Sequence, residues 1–233
     1  MTRFRETFAN RHVILPVIHA AEPEQALRNA EIARTQGCDG VFLIRHEQEM
    51  AHTELLRIHH RLLEAFPDWW IGVNCLDLSP SQVFEVITDE VAGVWVDNAL
   101  IDERERLQVE AEAIQAAREQ SGWQGLYFGG VAFKYQRRVE DVGRAARLAA
   151  QYMDVVTTSG PATGEAADRD KIQTMKAALG TFPLAIASGT TPENVGGYLE
   201  TADCFLVATG ISQNWLAFDE ERVREFVRRV RSY

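Results

Sequence analysis

The chain has 233 residues, 46% of them apolar, with 24 basic and 34 acidic side chains and a formal net charge of −10. That apolar content and length leave room for a large core and exclude a globally disordered chain. The acidic balance argues against nucleic acid as a partner, because such proteins carry a basic balance or a basic stripe.

Taken in chain order, short apolar runs alternate eight times with longer amphipathic ones. The strand candidates are residues 13–20, 40–45, 70–76, 93–98, 126–133, 154–159, 183–188 and 204–209. Most are nearly continuous in Val, Ile, Leu and Phe, the pattern of parallel strands buried on both faces. Between them the spacing predicts helices at 24–36, 53–65, 81–88, 103–120, 139–151, 168–179, 193–200 and 220–231. Ser79-Pro80 and Thr191-Pro192 each place a hydroxyl N-cap before proline. Gly37, Gly122 and Gly180 stand where helices should stop. Eight right-handed βα units without a linker predict one (β/α)₈ barrel over residues 1–233, and such barrels typically run to about 250 residues. An open doubly wound sheet is the structural rival, but the first strand ends His19-Ala20-Ala21 with no G-x-G-x-x-G, and no P-loop follows Gly160.

The cysteines, Cys38, Cys75 and Cys204, are odd in number and far apart, and read as buried thiols of a reducing compartment. No apolar run approaches the roughly 18 residues of a membrane span, and residues 1–10 lack a signal-peptide stretch. A cytoplasmic location is the expectation. Trp69-Trp70, Trp123 and Trp215 are costly to expose, which makes a homo-oligomer plausible.

In a barrel the C-terminal strand ends line the active face. Those ends carry His19, Arg45 with His46, Asn74 with Asp77, Asp97 with Asn98, Lys134, Thr157 with Thr158, Ser188 and Thr209. Ser188-Gly189-Thr190 and Thr209-Gly210 follow the seventh and eighth strands. A glycine there lets the backbone approach an anion, and successive N–H groups then cradle it. Residues 212–214 would begin a short helix adding partial positive charge. The alternative is that both glycines are tight turns. Lys134 is suited to hold a phosphate or carboxylate, donate a proton or form a Schiff base, and equally to be a solvated rim lysine. Asp97 is a candidate general base, metal ligand or hydroxyl partner, or else a structural carboxylate. His19 is an acid–base candidate or a structural hydrogen-bonder. The loop from Ser159 through Gly160 and Gly164 to Glu165 reads as a lid with glycine pivots, or as an ordered turn capped by Asp168. No H-E-x-x-H is present, so neither a metal nor a cofactor is expected.

At these residues the chain resembles the BtpA/SgcQ family of barrels. The match is strongest over Val156-Thr157-Thr158-Ser159-Gly160-Pro161-Ala162-Thr163-Gly164 to Asp168, Ala187-Ser188-Gly189-Thr190-Thr191-Pro192-Glu193-Asn194-Val195, Ala202-Asp203 and Val207-Ala208-Thr209-Gly210. Thinner matches are Val17-Ile18-His19, Gly40-Val41, Gly72-Val73-Asn74 and Phe133-Lys134. The family tends to show an aspartate before the strand-five lysine and a histidine after it. Here those places hold Gly130 and Tyr135, so that acid–base pair does not carry over. The resemblance implies a barrel of the ribulose-phosphate-binding kind, linked elsewhere to photosystem I accumulation and to sugar-metabolism operons. The resulting expectation is an enzyme, an isomerase, lyase or transferase, acting on a phosphorylated sugar or phosphoribosyl compound. Lys134, Asp97 and His19 would be catalytic. Asn74, Thr158, Ser159, Gly160, Glu165, Ser188, Gly189, Thr190, Thr209 and Gly210 would bind substrate and its phosphate. The alternatives are a non-catalytic binding or assembly factor and a metal-assisted hydrolase using Asp97.

Overall fold

The computed structural model describes residues 1–46 and 50–233. Eight parallel strands close in sequence order: β1 (Val13–Ala20), β2 (Gly40–Arg45), β3 (Trp70–Asn74), β4 (Gly93–Val96), β5 (Leu126–Gly130), β6 (Val155–Ser159), β7 (Leu184–Ala187) and β8 (Cys204–Val207). The ring is sealed by β1 against β8, with Val13 opposite Cys204 and Leu15 opposite Leu206. The predicted (β/α)₈ barrel is therefore the observed fold.

The continuous apolar runs are explained by burial on both sides. Along β1, Val13, Leu15 and Val17 point into the barrel, while Ile14, Ile18 and Ala20 face the helices. The interior is filled by Phe42, Trp70, Trp95 and Phe128 in edge-on contact, with ring centroids 5.1 Å apart for Phe42–Trp70 and 5.2 Å for Phe42–Phe128. Glycine is required at positions 72 and 93, because a Cβ there would overlap the Phe42 and Trp70 rings.

The barrel's lower end is closed by α1 (Arg3–Thr7), an element the sequence reading missed because only Phe4 and Phe8 mark its apolar side. Phe4 is fully buried, 5.3 Å from Phe8 and 6.3 Å from Phe128 between ring centroids. Around this plug, Asp39, Asp154 and Asp203 each precede a strand and accept a hydrogen bond from the start of a neighbouring one: Ile14 N at 2.7 Å, Tyr127 N at 2.8 Å and Leu184 N at 2.9 Å. Each also pairs with cations, Asp39 with Arg231, Asp154 with Arg3 and Arg118, and Asp203 with Arg5 and Lys176.

The outer helices are α2 (Pro23–Thr35), α3 (His52–Ala65), α4 (Val83–Val86), α5 (Val109–Ser121), α6 (Val142–Ala149), α7 (Arg169–Leu179) and α8 (Glu220–Arg231). Gly37, Gly122 and Gly180 do end helices, all at positive φ. Four predicted helices are shorter than expected, 139–151 among them as Val142–Ala149. The 81–88 segment starts late, at Val83, because Ser79 and Gln82 bond reciprocally in a turn before it, and β-branched Val83, Val86, Ile87 and Thr88 support a single helical turn. The 103–120 segment begins at Val109, because Asp102 and Gln108 side chains tie residues 102–108 into a loop. The 193–200 segment is a 3₁₀ turn, Val195–Tyr198, where Gly196-Gly197 disfavours an α-helix.

Two further corrections concern the chain's end and its tryptophans. Residues 212–214 do not begin a helix. After a 3₁₀ turn (Thr209–Ile211), β9 (Ser212–Asn214) and β10 (Ala217–Phe218) form a hairpin, with Asn214 Oδ1 accepting from Leu216 N across its turn. Trp123 is buried with its Nε1 donating to Val91 O, Trp70 packs against Phe8, and Trp69 against Phe66. Trp215 is 53% exposed, so it alone of the four keeps the surface argument for an oligomer. Cys38, Cys75 and Cys204 are free and buried. Among the described residues no helix is long and apolar enough to cross a membrane.

Candidate active site at the barrel mouth

Alternation along each strand decides which polar side chains face the interior at its C-terminal end. Asn74 ends β3 on the inward face and is buried. Asp97 follows β4 with the same parity as inward Trp95. The two meet, with Asn74 Nδ2 donating to Asp97 Oδ1 at 2.9 Å. Burial raises the Asp97 pKa, partly offset by the Lys134 charge and the Asn74 bond. No ion pair joins Asp97 to a cation among the described residues. Lys134 instead donates to Thr163 Oγ1 at 3.1 Å and lies over the Phe133 and Tyr135 rings.

His19 ends β1 on the inward face. Burial, then the charges of His46 and Lys134, push its pKa down to about 4, so the ring is neutral at pH 7. It meets Trp215 edge-on at 5.0 Å and 87°. Together with Thr209, Ser212, Gln213 and Asn214, these two rings line a cleft of about 260 Å³. His19, Asn74, Asp97 and Lys134 therefore face one mouth. Thr157 Oγ1 and Trp95 Nε1 are buried polar atoms of the same interior with no partner among the described residues.

The loop after β7 has an unusual backbone. Ser188 (φ 73°) and Gly189 (φ 71°) are consecutive left-handed residues, a costly conformation for serine. The N–H groups of Gly189 and Thr190 donate to no acceptor among the described residues, and the buried Thr190 hydroxyl also lacks a partner. The expected reason for the glycines is corrected, however. A Cβ on Gly160 or Gly189 would strike the Glu165 carbonyl, and one on Gly210 the Thr190 carbonyl. Neighbouring backbone, rather than open space for a ligand, lies against these three positions.

That contact is the loop after β6 folded over the loop after β7. Gly164 N donates to Ser188 Oγ at 2.9 Å, and Thr163 reaches Lys134. Gly164 has positive φ, as a pivot would, and Gly160 does not. Glu165 makes this contact with its main chain, while its side chain is exposed. Thr158 and Ser159 are also corrected. Both are fully buried, Thr158 Oγ1 donating to Ala132 O, and Ser159 Oγ donating to Gly160 O while accepting from Lys134 N at 2.8 Å. They brace the loop after β5. Thr157, not Thr158, has the inward parity. Asp77 is drawn away from the mouth to cap α3 through His52 N and Nδ1.

The sequence reading missed Lys171. From the first turn of α7 its ammonium donates to Ala132 O and Ser159 O, both at 2.7 Å, and burial lowers its pKa to about 8. No spacing in the sequence marks a helix side chain that reaches back to strand-end carbonyls. Among the described residues no three His, Cys, Asp or Glu side chains gather as metal ligands would.

The whole chain superposes on known barrels. Tryptophan synthase subunit alpha from Legionella pneumophila str. Paris matches with TM-score 0.72 at 12% identity, covering 100% of both chains. (S)-3-O-geranylgeranylglyceryl phosphate synthase from Thermoplasma acidophilum, in complex with sn-glycerol-1-phosphate, matches with TM-score 0.68 at 18% identity, again over 100% of both. Phosphoribosyl anthranilate isomerase from Thermus thermophilus matches with TM-score 0.63 at 16% identity, over 94% of this chain and 98% of that one. No curated protein matches in sequence. These likenesses establish the fold. In sequence, residues 133–232 match the BtpA family, the stretch that holds Lys134 and the loops after β6, β7 and β8, so this closed barrel carries the BtpA pattern across that side of its mouth.

Proposed function

We propose that the protein is an enzyme acting on a phosphorylated sugar or phosphoribosyl-type small molecule. The observation that carries this reading is the mouth itself: a part-buried carboxylate with a raised pKa feels the charge of a lysine with which it forms no ion pair, and the loop after β7 holds backbone donors without acceptors among the described residues. Buried donors and charges left unpaired in this way are costly unless a ligand completes them. The N–H groups of Gly189 and Thr190, with Thr209 in the turn after β8, would hold the phosphate once the loop carrying Glu165 moves aside. Support from likeness comes from barrels whose names denote phosphorylated substrates.

In this reading Asp97, held in place by Asn74, removes a proton from the substrate. Its raised pKa moves it toward the working pH, where a general base is most effective. Lys134 stabilises the negative charge that develops, as a preorganised cation in a site shielded from water. Neutral His19 donates or accepts a hydrogen bond, and Trp215 covers the non-phosphate end of the substrate. The test is incubation with a panel of pentose and hexose phosphates in D₂O, followed by proton NMR. One compound should lose the signal of the hydrogen beside its carbonyl with the wild type and keep it with Asp97→Asn.

A second reading, a binding barrel without turnover, draws on one observation. A Cβ at Gly130 would strike the Asp97 carbonyl, so the backbone itself excludes an acid where the related family tends to carry one. Selective binding of a phosphosugar with no proton exchange or product would favour it.

A further inference from the structure

We propose that the cleft between the loops after β5 and β6, on the outer side of the mouth, is a second anion site that takes a phosphate group. The cleft measures about 620 Å³ and is walled by Lys134, Arg137, Arg138 and Lys171, with Asp168 as its one carboxylate. Asp168 is occupied as the N-cap of α7, accepting from Asp170 N and Lys171 N. Arg137 is held by Asp102 and Glu103. The other three cations have no carboxylate partner among the described residues. Lys134 meets a hydroxyl and two aromatic faces. Lys171 meets two carbonyls, which leaves one ammonium proton unengaged. The Arg138 side chain makes no hydrogen bond or ion pair among the described residues, and its five N–H donors suit a phosphate's oxygens.

The charge lining this cleft runs against that of the whole chain. The chain is at −10, and the arginines of α8 are matched: Arg224 with Glu221, and Arg228 and Arg229 with Glu225. Three unmatched cations round one concavity in an acidic protein are what an absent anion would complete. The backbone there is also set with strain, at Ala132 (φ 48°) and Tyr135 (φ 63°), on either side of Lys134. This site is distinct from the proposed phosphate position at Gly189 and Thr209. Lys134 stands between the two, so filling the cleft would alter the charge felt by Asp97.

Equilibrium dialysis of radiolabelled inorganic phosphate tests the assignment. Arg138→Ala removes an exposed side chain and should weaken one class of binding about tenfold or more, as loss of a charged hydrogen-bond partner does. Lys171→Met should do the same. Wild-type affinity for this class should also fall between about pH 7.5 and 9, because Lys171 loses its charge as pH passes about 8. Thr209→Glu should remove only binding at the mouth. If that variant changes nothing while Arg138→Ala weakens binding, the mouth assignment fails and the cleft stands. Unchanged phosphate binding in a folded Arg138→Ala overturns the cleft.

Discussion

At the lower end of the barrel Asp39, Asp154 and Asp203 each accept from a strand N–H and pair with at least one cation. At the mouth, among the described residues, Asp97 has only the Asn74 amide, Lys134 a hydroxyl and two ring faces but no carboxylate, and the N–H groups of Gly189 and Thr190 no acceptor. The same chain thus pairs its part-buried charges at one end and leaves them short of partners at the other. Packing follows the same division. The lower end is closed by tilted and edge-on aromatic rings around Phe4, whereas the mouth carries a serine at positive φ and an exposed Trp215 beside a cleft. The division is what separates stability from chemistry in this fold.

Substitutions can break that contrast, and they are ordered here by expected effect on stability. Phe4→Ala should cost about 3–5 kcal/mol, the range for truncating a buried phenylalanine, measured by urea unfolding. Asp154→Ala should cost about 3 kcal/mol, because Arg118 and Tyr127 N lose their shared partner in a largely buried setting. His19→Gln should show as a pH effect. The unfolded histidine titrates near 6.5 and the folded one at about 4, so only the unfolded chain binds the proton between those values. Wild-type stability should therefore fall as pH drops through that window, by about 2 kcal/mol between pH 7 and pH 5, and His19→Gln should flatten the fall. Asp97→Asn should lower turnover by about 10²-fold or more with no loss of stability. Because the folded Asp97 pKa is raised, ionisation at neutral pH opposes folding, and the amide should make the protein slightly more stable there. A marked loss of stability in Asp97→Asn would place this carboxylate with those of the lower end.

The barrel was legible because strands buried on both faces are written as unbroken apolar runs, and 13–20 or 204–209 permit no other reading. His19, Asn74, Asp97 and Lys134 stood out as candidates for a related reason, as polar residues at or just past the ends of those runs. Thr158 was assigned to the mouth in place of Thr157 because an apolar run ending in three hydroxyls does not reveal which residue faces inward. The packing of Glu165 on Gly160 and Gly189 was hidden, since a glycine that admits a ligand and one that admits another loop have the same sequence. The hairpin at 212–218 lacks the glycine that usually marks such a turn, and only Asn214 signalled it. Lys171 and α1 act through contacts distant in sequence, which no local pattern carries.

The most direct measurement is the melting temperature of the wild type and of Thr209→Glu against pentose and hexose phosphates and their unphosphorylated sugars. A ligand bound only by the folded chain raises the melting temperature with concentration. The wild type should be stabilised by at least one phosphorylated sugar and not by its unphosphorylated form, and Thr209→Glu, with a carboxylate in the exposed turn after β8, should lose the response. Equal responses to a sugar with and without phosphate, or a response untouched by Thr209→Glu, would contradict a phosphate site at the loops after β7 and β8.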